Sequence, residues 1–137
     1  MRTFLDANIL LSGALPGSRM GTFLDLLLKH FKCLTSPYAV EEARRNLELK
    51  FPDASTRLDS IVKRCELIFS IASKIELKLK SKDIPILGGA IAGQATHLLT
   101  GDERDFGAHF GKIIQGVKIV SPRMLADELV KLGLLEK

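Results

Sequence analysis

The sequence predicts a three-layer α/β/α domain with a short central parallel sheet of four to five strands. Short apolar runs alternate along the chain with longer segments whose apolar residues recur at helical spacing. Strands that alternate with helices are typical of a parallel sheet with helices on both faces. No linker, repeat or low-complexity segment divides the chain, so residues 1–137 are predicted to form a single domain.

The first half of the chain is predicted to contain two strands and three helices. In chain order we predict a strand over 3–5, a turn over 8–13, a helix over 19–31, a strand over 33–35, a helix from 37 to 51 and a helix after 53. Ser36 and Pro37 are typical of a helix N-terminus, and Asp53 is predicted to cap the third helix.

The second half is predicted to complete the sheet. In chain order we predict a brief strand or extended turn over 68–71, a solvated helix face over 74–82, a helix after 83, strands over 97–100 and 117–120, and a last helix from 122. Lys74, Lys78 and Lys82 are four residues apart, which favours a helix face, whereas Lys78, Lys80 and Lys82 alternate. An RNA-facing patch is the alternative interpretation of these lysines.

Composition and motifs exclude several functional classes. The net charge of +4 and the pI of about 9.2 are compatible with a nucleic-acid partner without requiring one. No apolar run is long enough to span a membrane and no secretory leader precedes the first strand, so we expect a cytoplasmic protein. Cys33 and Cys65 are isolated, which disfavours zinc, and no phosphate-binding glycine loop or nucleophile elbow is present.

Acidic residues gather at one edge of the predicted sheet. Six of them lie where strands end or helices begin: Asp6, Glu41, Glu42, Asp83, Asp102 and Asp105. In a parallel sheet the strand C-termini and the following helix N-termini share an edge, which is where ligands bind. Helix capping alone is the simpler explanation, since an acid in the first turn contributes about 0.3–1 kcal/mol.

Capping explains Asp6 and Asp102 less well, because both directly follow buried strands, where a lone carboxylate is costly. Converging carboxylates also repel one another, and a divalent cation relieves that repulsion. Oxygen ligands without His or Cys favour Mg²⁺ or Mn²⁺ over zinc. One or two such ions can activate water and stabilise charge on a phosphoryl group.

Four segments, in this order along nearly the whole chain, resemble the PIN-domain family. They are Phe4-Leu5-Asp6-Ala7-Asn8-Ile9-Leu10, Ser36-Pro37-Tyr38-Ala39-Val40-Glu41-Glu42, Lys82-Asp83-Ile84-Pro85-Ile86-Leu87, and Leu98-Leu99-Thr100-Gly101-Asp102-Glu103-Arg104-Asp105-Phe106. The resemblance implies a single PIN-like nuclease domain that hydrolyses single-stranded RNA with Mg²⁺ or Mn²⁺. Gly88 and Gly89 stand where the family usually has alanines, and we expect them to mark tight packing against the sheet.

The resemblance also assigns roles to individual residues. It implies that catalysis and metal binding depend on four acids: Asp6, Glu42, Asp83 and Asp102. Asp105 would contact a second ion through water, and Asn8 and Thr100 would orient ligands or waters. A register error of one would exchange Glu42 with Glu41. Candidate contacts to the RNA backbone are Arg19, Lys82 and Arg104.

Many PIN proteins are toxins of the VapC type, which are commonly dimeric and inhibited by a cognate antitoxin. The resemblance therefore implies RNA, an antitoxin protein and a second copy of this chain as partners, and no membrane. The alternative is an RNA- or protein-binding module with little catalytic activity on the same fold. A haloacid-dehalogenase-type phosphatase is disfavoured because Asn8 replaces its second aspartate. A DNA nuclease of this fold needs additional elements, for which 137 residues leave little room.

Overall fold

A six-stranded sheet forms the centre of the computed structural model, which describes residues 1–136. The strands are β1 (Arg2–Leu5), β2 (Lys32–Thr35), β3 (Glu66–Leu67), β4 (His97–Leu99), β5 (Ile113–Ile114) and β6 (Val117–Val120). Their order is β3-β2-β1-β4-β6-β5, and only β5 runs antiparallel to its neighbour among these strands. The predicted fold class is confirmed, with slightly more strands than predicted. Lys137, the end of the predicted domain, lies outside the described residues.

Seven helices among the described residues pack around this sheet. They are α1 (Ala7–Ala14), α2 (Arg19–His30), α3 (Pro37–Lys50), α4 (Ser55–Lys63), α5 (Ile84–Ala92), α6 (Glu103–Phe106) and α7 (Pro122–Lys131), with 3₁₀ turns at Pro52–Ala54 and Gly107–His109. Ser36 and Ser121 cap α3 and α7, and each precedes a proline in the first turn. Within the described part of the chain, no helix has the length and apolar character needed to cross a membrane.

The prediction of a turn after Asp6 is wrong, because residues 7–14 form the helix α1. Asp6 caps this helix, and the helix buries its own residues Ile9 and Leu10 in the core. Gly13, which suggested a turn, lies against the side chain of Leu24 in α2, with no space for a side chain of its own. Close packing between α1 and α2 thus explains a glycine within a helix.

Two further predictions about local structure are corrected. Asp53 does not cap a helix, since it lies within the 3₁₀ turn Pro52–Ala54 and α4 begins at Ser55. The predicted helix face over 74–82 is wrong, because this stretch contains no helix and its side chains alternate between half-buried and exposed. The strand predicted near 68–71 lies slightly earlier, at Glu66–Leu67.

The central strands and the glycine-rich helix α5 pack closely. Phe4 of β1 is fully buried, and a Cβ added at Gly89 would lie 3.2 Å from two atoms of its ring. A Cβ at Gly88 would lie 2.5 Å from the side chain of Ile71. The expectation that these glycines mark tight packing against the sheet fits Gly89, whereas Gly88 packs against the preceding loop instead.

Strand register brings the ends of β1, β4 and β6 to one edge. Leu5 pairs with Leu99, and Leu99 pairs with Val120. Backbone pairing continues past the strands, since the Asp6 amide donates to the Leu99 carbonyl and the Thr100 amide donates to the Val120 carbonyl, each at 3.1 Å. Asp6 and Thr100 are consequently fixed side by side at the carboxyl edge of the sheet.

Candidate active site

A cavity of about 250 Å³ opens at the carboxyl edge of the sheet, between α1, α3 and the start of α5. Its lining residues are Asp6, Ala7, Asn8, Leu11, Glu42, Asn46, Lys82, Asp83, Gly101 and Asp102. The structure thus brings together all four acids that the sequence singled out as catalytic, although they come from four separate segments. Two of the other predicted site residues, Asn8 and Lys82, also line the cavity.

Asp6 lies at the base of the cavity with only 4% of its surface exposed. One carboxylate oxygen accepts from the Ala7 amide at 2.6 Å, and the other accepts from the Thr100 hydroxyl at 2.7 Å and the Asn8 amide at 3.1 Å. Burial raises the pKa of Asp6 to about 6 despite these donors, and the charges of Glu42 and Asp102 act in the same direction. Asp6 is therefore held in a fixed orientation, and burial of its ionised carboxylate costs free energy.

Thr100 and Asn8 connect the two sides of this edge. The fully buried Thr100 hydroxyl accepts from the Asp102 amide at 3.1 Å while it donates to Asp6. The side-chain carbonyl of Asn8 accepts from the Gly101 amide at 2.8 Å. These contacts fit the expectation that both residues orient the acids around them.

Asp83 is the acid that capping does not explain. Asp6 and Asp102 each use one carboxylate oxygen to cap a helix, but Asp83 makes no capping hydrogen bond at the start of α5. It is 6% exposed, and its Oδ2 atom is buried without a hydrogen-bond partner among the described residues. Burial, together with the adjacent Asp105 carboxylate, raises the pKa of Asp83 to about 7. An unsatisfied buried carboxylate oxygen of this kind is what a cation ligand requires.

Asp83, Asp102 and Asp105 form a compact acidic cluster. Each offers one oxygen, and these oxygens lie within 4.8 Å of one another. The Asp105 side chain is 2% exposed and is paired with two ammonium groups, Lys80 at 2.9 Å and Lys82 at 3.0 Å. These two contacts hold the pKa of Asp105 well below its usual range. The cluster thus combines three carboxylates with two built-in positive charges.

The structure distinguishes between Glu41 and Glu42, two glutamates that the sequence could not rank as site residues. Glu42 is half-buried and lines the cavity, whereas Glu41 is exposed and does not. Asn46 lies one turn after Glu42 on α3 and also lines the cavity, although the sequence analysis did not select it. Its spacing of four residues from Glu42 was the available signal, because residues at i and i+4 share a helix face.

The structure does not bring two of the predicted RNA contacts into the cavity. Arg19 lies at the start of α2, beside a separate cavity of about 480 Å³ that Met20, Phe23 and Arg123 also line. Arg104 is exposed on α6. Lys80, which the sequence placed only in the alternative lysine patch, forms an ion pair with Asp105 at 2.9 Å.

The donor set fits a hard divalent cation. The acidic residues of the cavity offer only oxygen atoms, and no histidine or cysteine is among the residues that line it. Mg²⁺ and Mn²⁺ prefer such ligands. The pKa values of Asp6 and Asp83, raised mainly by burial, and the unpartnered Oδ2 of Asp83 fit a site that a bound cation would stabilise.

Comparison with known proteins identifies a family and a fold that this chain resembles. The family model described as PIN domain matches residues 2–104, which include Asp6, Glu42, Asp83 and Asp102. No curated protein matches the chain by sequence. Among solved structures, the fold is similar to a chain of VapBC2 from Rickettsia felis, crystallised with a DNA fragment from its promoter. The TM-score is 0.64 with 20% sequence identity, and the match covers 88% of this chain and 98% of that chain.

Proposed function

Because this chain belongs to the PIN-domain family, whose members are typically nucleases, we propose that it is a metal-dependent endoribonuclease that cleaves single-stranded RNA. The observation that carries the proposal is the convergence of four acids from separate segments on one cavity. A stable fold does not require this convergence, because each buried carboxylate costs free energy unless it is paired. The cost is explained if a cation and a phosphodiester bind there.

The proposed ligands of Mg²⁺ or Mn²⁺ are Asp6, Glu42, Asp83 and Asp102. The resemblance also gives Asp105 a water-mediated contact to an ion, a role that competes with its two ion pairs to Lys80 and Lys82. Such an ion activates a water molecule and stabilises the charge that develops on the phosphoryl group. The chain itself would orient these acids, since Thr100 and Asn8 fix the Asp6 carboxylate through Oδ2. Lys82 lines the cavity and is the proposed contact to an RNA phosphate at the site, whereas Arg19 and Arg104 would contact RNA outside it.

Proton transfer in the cavity would depend on the acids and water. No histidine is among the lining residues, and the pKa values of Asp6 and Asp83, about 6 and about 7, lie near neutrality. Asp83 therefore holds a proton on its carboxyl group over part of the physiological range when no cation is bound. Binding of a cation would release that proton, so we expect cation binding to strengthen as the pH rises toward 8.

We also propose that the protein is the toxin of a toxin–antitoxin pair in the cytoplasm, with an antitoxin and a second copy of the chain as protein partners. The support is the fold shared with a chain of VapBC2, a complex solved with promoter DNA. Expression of the chain alone and together with any small reading frame found next to its gene tests this role. Arrested growth that the neighbour relieves would support it, and growth unaffected by the chain alone would contradict it.

The alternative is an RNA- or protein-binding module that uses the acids for structure. One observation favours it: Lys80 and Lys82 already balance part of the acidic charge without a metal ion. Such a module would bind its partner equally well after Asp6→Asn, because no cation would be involved.

Cleavage of matched single-stranded RNA and DNA separates these functions. Wild-type protein with Mg²⁺ or Mn²⁺ should cleave RNA and leave DNA intact, and chelator should stop the reaction. Asp6→Asn and Asp102→Asn should each abolish cleavage, whereas the exposed control Glu41→Gln should not. RNA cleavage that survives chelator or both aspartate substitutions would overturn the proposal, and preferential DNA cleavage would overturn the substrate assignment.

A further inference from the structure

A lysine-rich stretch leads to the rim of the acidic cavity. We call residues 74–82 the lysine segment; its exposed lysines are Lys74, Lys78, Lys80 and Lys82. Ile75, Leu77 and Leu79 alternate with them and pack against the core. Over 74–80 exposed and half-buried side chains alternate, and residues 81–83 form a turn. The segment therefore exposes its four lysines together with Glu76 and anchors itself with apolar groups on the other side.

Side chains from elsewhere in the fold hold the lysine segment in place. Gln115, in the turn between β5 and β6, accepts from the Glu76 amide at 2.8 Å and donates to the Lys74 carbonyl at 2.9 Å. At the other end, the Tyr38 hydroxyl donates to the Lys82 carbonyl at 3.1 Å. The segment is thus fixed at both ends, although no helix or strand runs through it.

The last two lysines converge on a single buried acid. Asp105 pairs through one oxygen with Lys80 and through the other with Lys82, and its side chain is 2% exposed. The lysine side chains remain 63% and 56% exposed. Such exposed ion pairs add little to stability. Their structural effect is to hold two solvent-accessible ammonium groups beside Asp83 and Asp102.

We propose that the lysine segment binds the phosphate backbone of single-stranded RNA and leads it into the acidic cavity, and that Asp105 is a positioning residue that holds Lys80 and Lys82 there. The assignment of Asp105 follows from its geometry, because both of its oxygens contact ammonium groups. The identification of the bound polyanion as RNA rests on the proposed function. Lysine is a point charge that recognises phosphate without reading bases. The segment has no aromatic residue on which a base could stack, so its contribution to binding is independent of RNA sequence.

The salt dependence of RNA binding tests the lysine segment. An Asp6→Asn background prevents cleavage, and the affinity for a labelled single-stranded RNA is measured by fluorescence anisotropy from 50 to 300 mM salt with Mg²⁺. Each lost phosphate contact on a single strand reduces the slope of log K against log salt by about 0.7. Lys80→Gln with Lys82→Gln should therefore reduce the slope by about 1.4 and weaken binding about tenfold at 0.15 M salt.

A matched control removes the same charge elsewhere. Lys29 and Lys63 lie in the last turns of α2 and α4, just before β2 and β3, and so at the opposite edge of the sheet. Lys29→Gln with Lys63→Gln should leave the slope within about 0.3 of the parent value. Equal slopes for the two double variants would overturn the proposal. Loss of binding to a copurifying protein, with RNA binding unchanged, would also overturn it and assign the lysines to that protein.

Asp105→Asn tests the positioning role separately. It should reduce the slope as the lysine substitutions do, while the affinity for Mn²⁺ measured by calorimetry stays within about twofold. A large loss of Mn²⁺ affinity with an unchanged slope would show that Asp105 is a metal ligand instead. Failure of the proposed function has a different signature, because wild-type protein would then not cleave RNA at all. If wild type cleaves RNA and the lysine variants keep its salt dependence of RNA binding, the role of the lysine segment is overturned while the proposed function stands.

Discussion

At the scale of single residues, the buried carboxylates that line the cavity are the groups whose burial costs the most free energy. Asp6 and Asp83 are almost completely buried, and the pKa of each is raised, to about 6 and about 7. Asp105, whose side chain is 2% exposed, has a lowered pKa because two ammonium groups contact it. The contrast shows the effect of a direct ion pair, which Asp105 forms with two lysines and which neither Asp6 nor Asp83 forms among the described residues.

The raised pKa of Asp6 predicts that the metal-free protein loses stability as the pH rises. The folded state holds the proton more tightly than the unfolded state, so this contribution is fully present below pH 4 and is lost as the pH rises past about 6. The change from 3.8 to about 6 corresponds to about 3 kcal/mol of the free energy of unfolding. Asp6→Asn cannot titrate, so its stability relative to wild type should increase by up to that amount between pH 4 and pH 7.

Denaturant unfolding in chelator measures this difference. The exposed Asp53→Asn is the control, and it should follow wild type across the pH range. Parallel curves for wild type and Asp6→Asn would show that burial of Asp6 imposes no such cost.

At the scale of elements, the direction in which α3 faces decides which glutamate serves the site. The motif at the start of α3 contains two adjacent glutamates, and a one-residue shift rotates a helical side chain by about 100°. The sequence could not select between them, because Val40, Ala43 and Leu47 left both within reach of the edge. Packing resolves the choice: Ala39, Ala43 and Leu47 are buried, and Glu42 turns toward the cavity.

Paired glutamine substitutions on α3 test this assignment. Glu42→Gln should lower RNA cleavage at saturating substrate by at least about tenfold, because it removes a charge from the proposed metal site. Glu41→Gln makes the same chemical change on the exposed side of the same turn, and cleavage should stay within about twofold of wild type. The reverse ranking would place Glu41 at the site.

The helix α5 is held close to the sheet by Gly89. The Phe4 ring is fully buried and is 3.2 Å from where a Cβ would lie, so it has little room to move. Gly89→Val should reduce the free energy of unfolding by about 1–3 kcal/mol through overpacking. Ala92→Val, at an exposed position of the same helix, should cost only the difference in helix propensity, about 0.5 kcal/mol. Equal costs in thermal unfolding would show that the contact with Phe4 is not constraining.

Some elements were beyond prediction for physical reasons. Lys74, Lys78 and Lys82 satisfy a spacing of four and a spacing of two equally well, and only the alternating Ile75 and Leu77 distinguish extended chain from helix. The strand β5 is two residues long and carries no periodicity. The sequence indicates the turn after β5 only weakly. Gln115 and Gly116 adopt positive φ angles of 48° and 90° there, and of the two only glycine is typical of such angles.

At the scale of the whole molecule, the charge is unevenly arranged. The chain has sixteen acidic and twenty basic residues. Because the four proposed ligands all lie in one cavity, twelve acids remain to balance the basic residues elsewhere. The edge position of these acids was predictable, because parallel topology alone places strand ends together. The ion pairs of Lys80 and Lys82 with Asp105 were not, since they depend on the path of a segment without regular structure.

Calorimetric titration of Mn²⁺ into the metal-free protein tests most directly whether these acids form a metal site. Wild type should bind Mn²⁺ more tightly at pH 8 than at pH 6, because Asp83 and Asp6 must lose their protons. Asp102→Asn should weaken binding at least about tenfold, and Glu41→Gln should bind as wild type does. Wild type that does not bind Mn²⁺ at millimolar concentration, or an Asp102→Asn variant that binds unchanged, would contradict the account.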